Sequence, residues 1–376
     1  MIVPFHVPFL DDRETQAAVS VIREGALGGG GRYTRQVEAS LQSLTGAPYA
    51  FFVTSCTHAM ELALMALGVG PGDDVILPSF TFTSTATCIV RQGAQPVFAD
   101  IDPRTWNLDP DDVARCLSPR TRAIMPVHYA GHPAPLKEIA ELIAPPTVIV
   151  EDAAHAFTAT YLGSPAGTIG AAGCFSFHVS KNVTCGEGGG LVVKDPAVAQ
   201  RAEFIREKGT NRSKYFRGEV NKYTWVDIGS SYLPSDLLAA ILYAQLERLS
   251  AIQRRRKFLY RRYEQNLSML AQGGKLRLPT IPPDCQSNYH IFYILLSTEK
   301  VRNNLMNILK SQGILAVFHY IPLHLSPMGI KLGYQKGDLR RTEEFSGRLL
   351  RLPLYPDLTT KQQDLVIRSI QRFFRQ

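Results

Sequence analysis

Between residues 49 and 193 the sequence returns repeatedly to short apolar runs, at 49–54, 74–77, 95–100, 123–127, 147–150, 173–177 and 190–193. Few of them alternate apolar with polar residues. A strand with one wet face alternates, so these runs read as strands covered on both faces. Helical patterns fall at 13–24, 34–44, 58–67, 84–91 and 136–143. Strands and helices in alternation give an α/β layered domain around a parallel or mixed sheet. We place its end at residue 233. Residues 234–270 read as one long linking helix. Beyond it, strands at 290–296 and 315–318 and helices at 299–312 and 361–375 make a smaller α+β part, so the second unit is 234–376.

A chain of 376 residues can bury a core of that size, and 45% hydrophobic with 20% charged residues is ordinary for a globular protein. Lys and Arg exceed Asp and Glu by 41 to 33, a net charge of +8 that favours anionic partners in general. The densest basic run, Arg254-Arg255-Arg256-Lys257 followed by Arg261 and Arg262, lies in the long helical pattern. It reads as a solvated helix face, and no nucleic-acid module accompanies it. The N-terminal stretch is apolar but short, broken by Pro4 and Pro8 and flanked by acids, unlike a signal peptide. No run is long and apolar enough for a membrane span. Cysteines 56, 88, 116, 174, 185 and 285 show no CxxC spacing. They read as reduced thiols of a cytoplasmic protein, and no metal site is expected.

Four segments can carry chemistry. In Val148-Ile149-Val150-Glu151-Asp152 an apolar strand runs into two acids, where open α/β sheets place their ligands. Taken alone, Asp152 reads as a helix cap. In Ser176-Phe177-His178-Val179-Ser180-Lys181 a strand delivers a lysine into a turn, and the glycine-rich stretch 186–190 follows. An isolated turn lysine is usually solvated. One held against a sheet edge loses solvation, and its neutral amine becomes a nucleophile or base. In Thr54-Ser55-Cys56-Thr57 a strand passes into a helix through small hydroxyl residues, giving either a plain N-cap or a phosphate site. Phe80 and Phe82 follow the 74–77 strand, as core residues or as a flat face for a ring. Phosphate cradle, aromatic platform, strand-end carboxylate and lysine together are what pyridoxal phosphate requires: the lysine holds its aldehyde and the carboxylate keeps its ring nitrogen protonated.

The segments 71–86 (PGDDVILPSFTFTSTA), 151–157 (EDAAHAF), 167–182 (GTIGAAGCFSFHVSKN), 186–193 (GEGGGLVV) and 319–324 (HYIPLH), with VPFLDDRE near the N-terminus, resemble the DegT/DnrJ/EryC/StrS sugar aminotransferases. The likeness covers nearly the whole chain. It implies the aspartate-aminotransferase-like fold, a large mixed-sheet domain with a smaller α+β C-terminal one. It implies that Lys181 forms the Schiff base with pyridoxal 5'-phosphate and that Asp152 contacts the ring nitrogen. His155 stands where the family usually has Gln, beside the ring hydroxyl. Phe82 stacks on the ring, and Cys56, Thr57 and Ser176 bind the phosphate. A branch that dehydrates sugars replaces the lysine with His, so Lys181 implies transamination. The family's Gly-x-Asn-Tyr-Arg, whose Asn reaches the cofactor phosphate of the partner subunit, is here Gly229-Ser230-Ser231-Tyr232-Leu233. Ser231 holds the Asn position, with a shorter reach.

Residues 206–236 resemble one subgroup, the dTDP-4-amino-4,6-dideoxygalactose transaminases. That implies dTDP-4-keto-6-deoxyglucose as amino acceptor, L-glutamate as donor and a homodimer with composite sites. The segment is rich in Lys and Arg, and Arg212 and Arg217 are candidates for the substrate's diphosphate; a solvated basic loop is the plain alternative. Tyr320 and His324 are candidates to close over the sugar. Two competing readings are aminotransfer at the third sugar carbon and a non-catalytic sugar-nucleotide binder. The second would be expected to have lost Lys181 or Asp152, and both are present.

Overall fold

The computed structural model describes residues 2–375. Seven strands form one sheet, in the order Tyr49–Val53, Gly189–Val193, Ala172–Ser176, Val148–Asp152, Thr121–Ile124, Asp74–Pro78 and Gln95–Ala99. Gly189–Val193 runs antiparallel to both of its neighbours, and all other pairs are parallel. Residues of one strand alternate between two apolar layers. Val75 and Leu77 pack with helices Cys56–Ala66, Thr83–Arg91 and Pro196–Arg206. Ile76 faces the other way, toward helices Pro110–Cys116 and Leu136–Glu141. Phe52, Phe175 and Val192 face helices Arg32–Thr45 and Asp236–Glu247. Burial on both sides explains why the strands read as continuous apolar runs.

The centre of the sheet is held by a buried acid. The Glu151 carboxylate accepts hydrogen bonds from the backbone N–H groups of Gly167 (2.6 Å), Ile169 (2.7 Å) and Gly170 (2.6 Å), and from His128 Nε2 (2.8 Å). His128 Nδ1 accepts from the N–H of Ala134, so the ring proton sits on Nε2 and points at the acid. The 167–170 turn then lies flat against strand Ala172–Ser176. A Cβ on Gly173 would come within 2.0 Å of the Gly167 carbonyl oxygen, so only glycine fits there.

The C-terminal half departs from its sequence reading in several places. The expected single helix over 234–270 is two, Asp236–Glu247 and Leu249–Gln272, broken at Arg248. The break turns the Arg248 guanidinium onto Asp11 and Glu14 and over the Phe9 ring, at 4.4 Å. The first of these helices packs into the sheet domain's core. From Leu259 onward the chain joins a separate core with strands Phe292–Leu295 and Leu349–Leu352. The apolar clusters therefore separate within the second helix. Val3, at the far end of the chain, also belongs to the second core, through a parallel bridge to Ile314. No strand forms over 315–318. Val317 makes one bridge to Arg351, and Leu349–Leu352 takes the expected place beside Phe292–Leu295.

The basic run is a solvated face only in part: Arg254, Lys257 and Arg261 are exposed. Arg256 is 1% exposed and donates to the carbonyls of Tyr289 and His290. Arg255 donates to those of Pro356 and Leu358. Two buried acids cap helices that lack their own side-chain cap. Asp100 accepts from the N–H groups of Arg341 and Thr342 and ties helix Arg340–Ser346 to the sheet domain. Asp236 accepts from Tyr33 and Thr34 at the start of helix Arg32–Thr45.

Glu151→Ala would strand four donors at once, two of them buried and two partly buried. Unfolding free energy is expected to fall by about 3 kcal/mol or more, measured by denaturant titration. A loss below about 0.5 kcal/mol, the range of a surface change, would show that this acid does not hold the sheet.

Candidate active site

Asp152 is the last residue of strand Val148–Asp152 and is buried. Its Oδ2 accepts from the Thr85 hydroxyl at 2.8 Å, and its Oδ1 accepts from the N–H of Ala154 at 3.1 Å. The Thr85 hydroxyl lies 2.8 Å from that of Thr81. The carboxylate is thus held in one orientation by partners from the turn that follows the strand and from helix Thr83–Arg91.

Lys181 lies past the neighbouring strand. Strand Ala172–Ser176 pairs with Val148–Asp152, placing Asp152 beside Cys174. The chain then turns, and the N–H of Lys181 donates to the carbonyl of His178. The next residue anchors the turn. Asn182 Nδ2 donates to the Asn288 carbonyl, and its Oδ1 lies 2.8 Å from His290 Nδ1. Asn288 in turn donates from Nδ2 to the carbonyls of His155 and Phe157. Lys181 keeps some exposed surface, but its amine is the enclosed end. Desolvation lowers its pKa from the usual 10.5 to about 8; the Arg351 cation pushes the same way, while Cys56 and Asp152 oppose. At pH 7.5 about a quarter of such amines are neutral, against roughly one in a thousand for an ordinary lysine.

Both groups line a cavity of about 840 Å³, together with Cys56, Thr57, Phe82, His155, Ser176 and Tyr320. Helix Cys56–Ala66 begins at its wall. Ser55 caps the N–H of His58, which leaves the Cys56 and Thr57 amides without an intrahelical acceptor. Gly189 lets the sheet approach this turn: a Cβ there would lie 2.3 Å from the Ser55 carbonyl. The Thr57 hydroxyl meets that of Ser84 at 2.7 Å. Phe82 is 58% exposed and offers a ring face, whereas Phe80 is buried against Trp106 and Tyr129. His155 is buried with Nδ1 unpartnered among the described residues, while Nε2 lies 3.3 Å from the Tyr320 hydroxyl. Burial first, then the Lys181 and Arg351 cations, hold the His155 pKa well below its ordinary value, so the ring is neutral. His319 stacks on Tyr320 at 3.6 Å and is neutral for the same first reason.

The remaining sequence candidates lie elsewhere. His324 is fully buried between Ser79 (2.7 Å) and Glu343 (3.1 Å), pinning the 323–325 turn, and does not line the cavity. Arg212 pairs with Glu207 and Arg217 with Glu203 and Glu219; both side chains remain nearly half exposed, and neither lines the cavity. Ser231 is exposed, and its backbone bridges Glu207. The sequence reading missed Thr85, Ser84, His290, His319 and Arg351. Ser84 and Thr85 sit in a hydroxyl-rich helix start where no one hydroxyl stands out, His319 lies beside Tyr320 within the 319–324 motif, and His290 and Arg351 come from segments outside the quoted motifs.

Free amides at a helix start, an exposed ring, an orphaned imidazole nitrogen and a lysine–aspartate pair are a set that fits pyridoxal phosphate. Residues 8–371 match the DegT/DnrJ/EryC1/StrS aminotransferase family. The chain belongs to that family. It is 34% identical to the spore coat polysaccharide biosynthesis protein SpsC of Bacillus subtilis, over 98% of this chain and 96% of that one. It superposes with a TM-score of 0.91 on DesV of S. venezuelae, solved in complex with a ketimine intermediate, at 32% identity over 100% of this chain and 99% of that one. The aminotransferase TlmJ of Streptoalloteichus hindustanus gives a TM-score of 0.90 at 33% identity, over 100% and 99%. This family member is a sugar aminotransferase with the aspartate-aminotransferase-like fold, and its cofactor is pyridoxal phosphate. No described helix is long and apolar enough to cross a membrane.

Because a lysine of lowered pKa is neutral above about 8, cofactor-free protein should take up pyridoxal phosphate with a rate that rises through that pH. Absorbance stopped-flow across a pH series measures it. An inflection above 10 would mean that burial does not tune Lys181.

Proposed function

We propose that this aminotransferase moves the amino group of L-glutamate onto the C4 ketone of dTDP-4-keto-6-deoxyglucose, giving a dTDP-4-amino-4,6-dideoxyhexose and 2-oxoglutarate. The observation that carries the chemistry is the fixed Asp152 carboxylate and the enclosed Lys181 amine in one cavity. Bound there, pyridoxal phosphate supplies an electron sink for the carbon that gains or loses a proton. Asp152 would hold a positive charge on the ring nitrogen, and Thr85 keeps its oxygen in place. The amides and hydroxyl of Cys56 and Thr57, with the Ser176 hydroxyl, would receive the phosphate. Phe82 would cover one ring face, and the neutral His155 would meet the ring hydroxyl. Lys181 would take the proton from the donor's α-carbon and deliver one to sugar C4, a task suited to an amine with a pKa of about 8.

The sugar assignment is supported by the likeness of residues 206–236 to the subgroup with that acceptor. Tyr320 lines the cavity wall, which supports a role in contacting the sugar. The same segment supports a homodimer. Its Trp225 is 77% exposed and Phe216 68%, with Tyr223 and Ile228 also exposed, more apolar surface than a free loop ordinarily shows. Ser231, Arg212 and Arg217 lie outside their own chain's cavity, as residues serving the cavity of a second copy would. Such an arrangement gives composite sites.

Lys181→Ala should remain folded, fail to become yellow with pyridoxal phosphate and lose turnover; wild-type turnover in that variant would refute the lysine's role. Supplied with glutamate, the enzyme should aminate the 4-keto sugar nucleotide, with the product assigned by NMR. Amination of the 3-keto isomer alone would move the reaction to the third carbon. Analytical ultracentrifugation should give a dimer. Trp225→Glu should weaken it, and a fully active wild-type monomer would remove the composite site.

A further inference from the structure

The cavity contains a cation that no acid among the described residues neutralises. Arg351 stands on strand Leu349–Leu352 and lines the cavity. Its Nε and Nη2 donate to the same carbonyl, that of Phe318, at 3.3 and 3.2 Å, and the guanidinium lies over the Phe5 ring at 4.8 Å. None of the described ion pairs includes it. The titratable groups that feel its charge are Tyr129, Tyr320, His155, His319 and Lys181: neutral rings and another cation. Burial lowers its pKa, yet a guanidinium remains charged at neutral pH. A half-buried cation facing a lysine, with no acid beside it, is unfavourable until an anion arrives. Arg256, also on the wall, has Nε and Nη2 engaged by the Tyr289 and His290 carbonyls.

The reaction decides which anion this is. Both substrates must bring their reacting carbon to the same place, near the Lys181 amine. A keto sugar surrounds that carbon with hydroxyl and methyl groups, and its phosphates lie several bonds away. An α-amino acid carries a carboxylate on the reacting carbon itself. Arg351 is close enough to Lys181 to shift its proton affinity, and a guanidinium with a free edge matches a carboxylate's two oxygens. We infer that Arg351 is the docking cation for the α-carboxylate of the amino donor, contributed by the C-terminal part to a site whose other walls also serve the sugar. This rests on the donor being an amino acid, as in the proposed function.

The test uses holoenzyme and glutarate, a dicarboxylate with no amine to react. Calorimetry should show Arg351→Gln binding glutarate about ten- to a hundredfold more weakly than wild type, with Arg351→Lys in between. In single-turnover absorbance experiments the glutamate concentration for half-maximal bleaching should rise by a similar factor, with the limiting rate changed far less. The sugar half-reaction should not share that rise. Cofactor absorbance and the melting curve report whether each variant is folded and loaded. Glutarate and glutamate constants within twofold of wild type would overturn the assignment. A loss confined to the sugar half-reaction would also overturn it and give Arg351 to the diphosphate. If wild type were bleached by a different amino acid and not by glutamate, the donor in the proposed function would be wrong. The same titration with that amino acid and its deaminated analogue would then decide Arg351 independently.

Discussion

The Glu151 carboxylate is the constraint on which the active site is built. A buried carboxylate is tolerable only if its oxygens are satisfied, and here three backbone amides and one imidazole satisfy them. Those amides belong to the turn that precedes strand Ala172–Ser176. The acid belongs to the strand beside it. Meeting this electrostatic requirement therefore fixes the register between the two strands, with Asp152 opposite Cys174. Asp152 points from the end of one strand, and Lys181 follows from the turn after the other. The two sequential acids divide the work: Glu151 organises the protein interior, and Asp152 is left for the cavity.

The same use of acids recurs at two helix starts. Asp100 caps helix Arg340–Ser346 across the domain contact, and Asp236 caps helix Arg32–Thr45. Each satisfies a helix start that its own sequence leaves open. Long-range capping of this kind couples secondary structure to tertiary position, since neither helix start is satisfied unless the distant segment has arrived. The fold's polar interior is thus as specific as its apolar layers.

Much of this was legible in the sequence. Apolar runs without alternation gave the doubly covered sheet, and the acid after 147–150 and the lysine after 173–177 gave the central pair. Cys56, Thr57, Phe82, His155, Ser176 and Tyr320 were found through motif likeness, and all line the cavity. Failures came where a contact joins distant segments. The helix break at Arg248 answers to acids near residue 11, and Arg256 is buried by carbonyls more than thirty residues onward. His324, a candidate to close over the sugar, is instead enclosed by Ser79 and Glu343, which are distant in sequence. Thr85 carries no sequence signal because its role exists only through Asp152.

The asparagine that follows the lysine has a mechanical implication. Asn182 is joined to Asn288 and His290, and Asn288 is joined back to the turn that carries His155. The reactive turn is therefore riveted to the segment that leads into the second core. Swinging one half open against the other would break several buried hydrogen bonds, each about 1 kcal/mol, and would drag the amine out of line. Substrates must exchange through a mouth that already exists. A site of this construction is a fixed jig, whose tolerance for new sugars is governed by the shape of its walls and little by how far its halves can part.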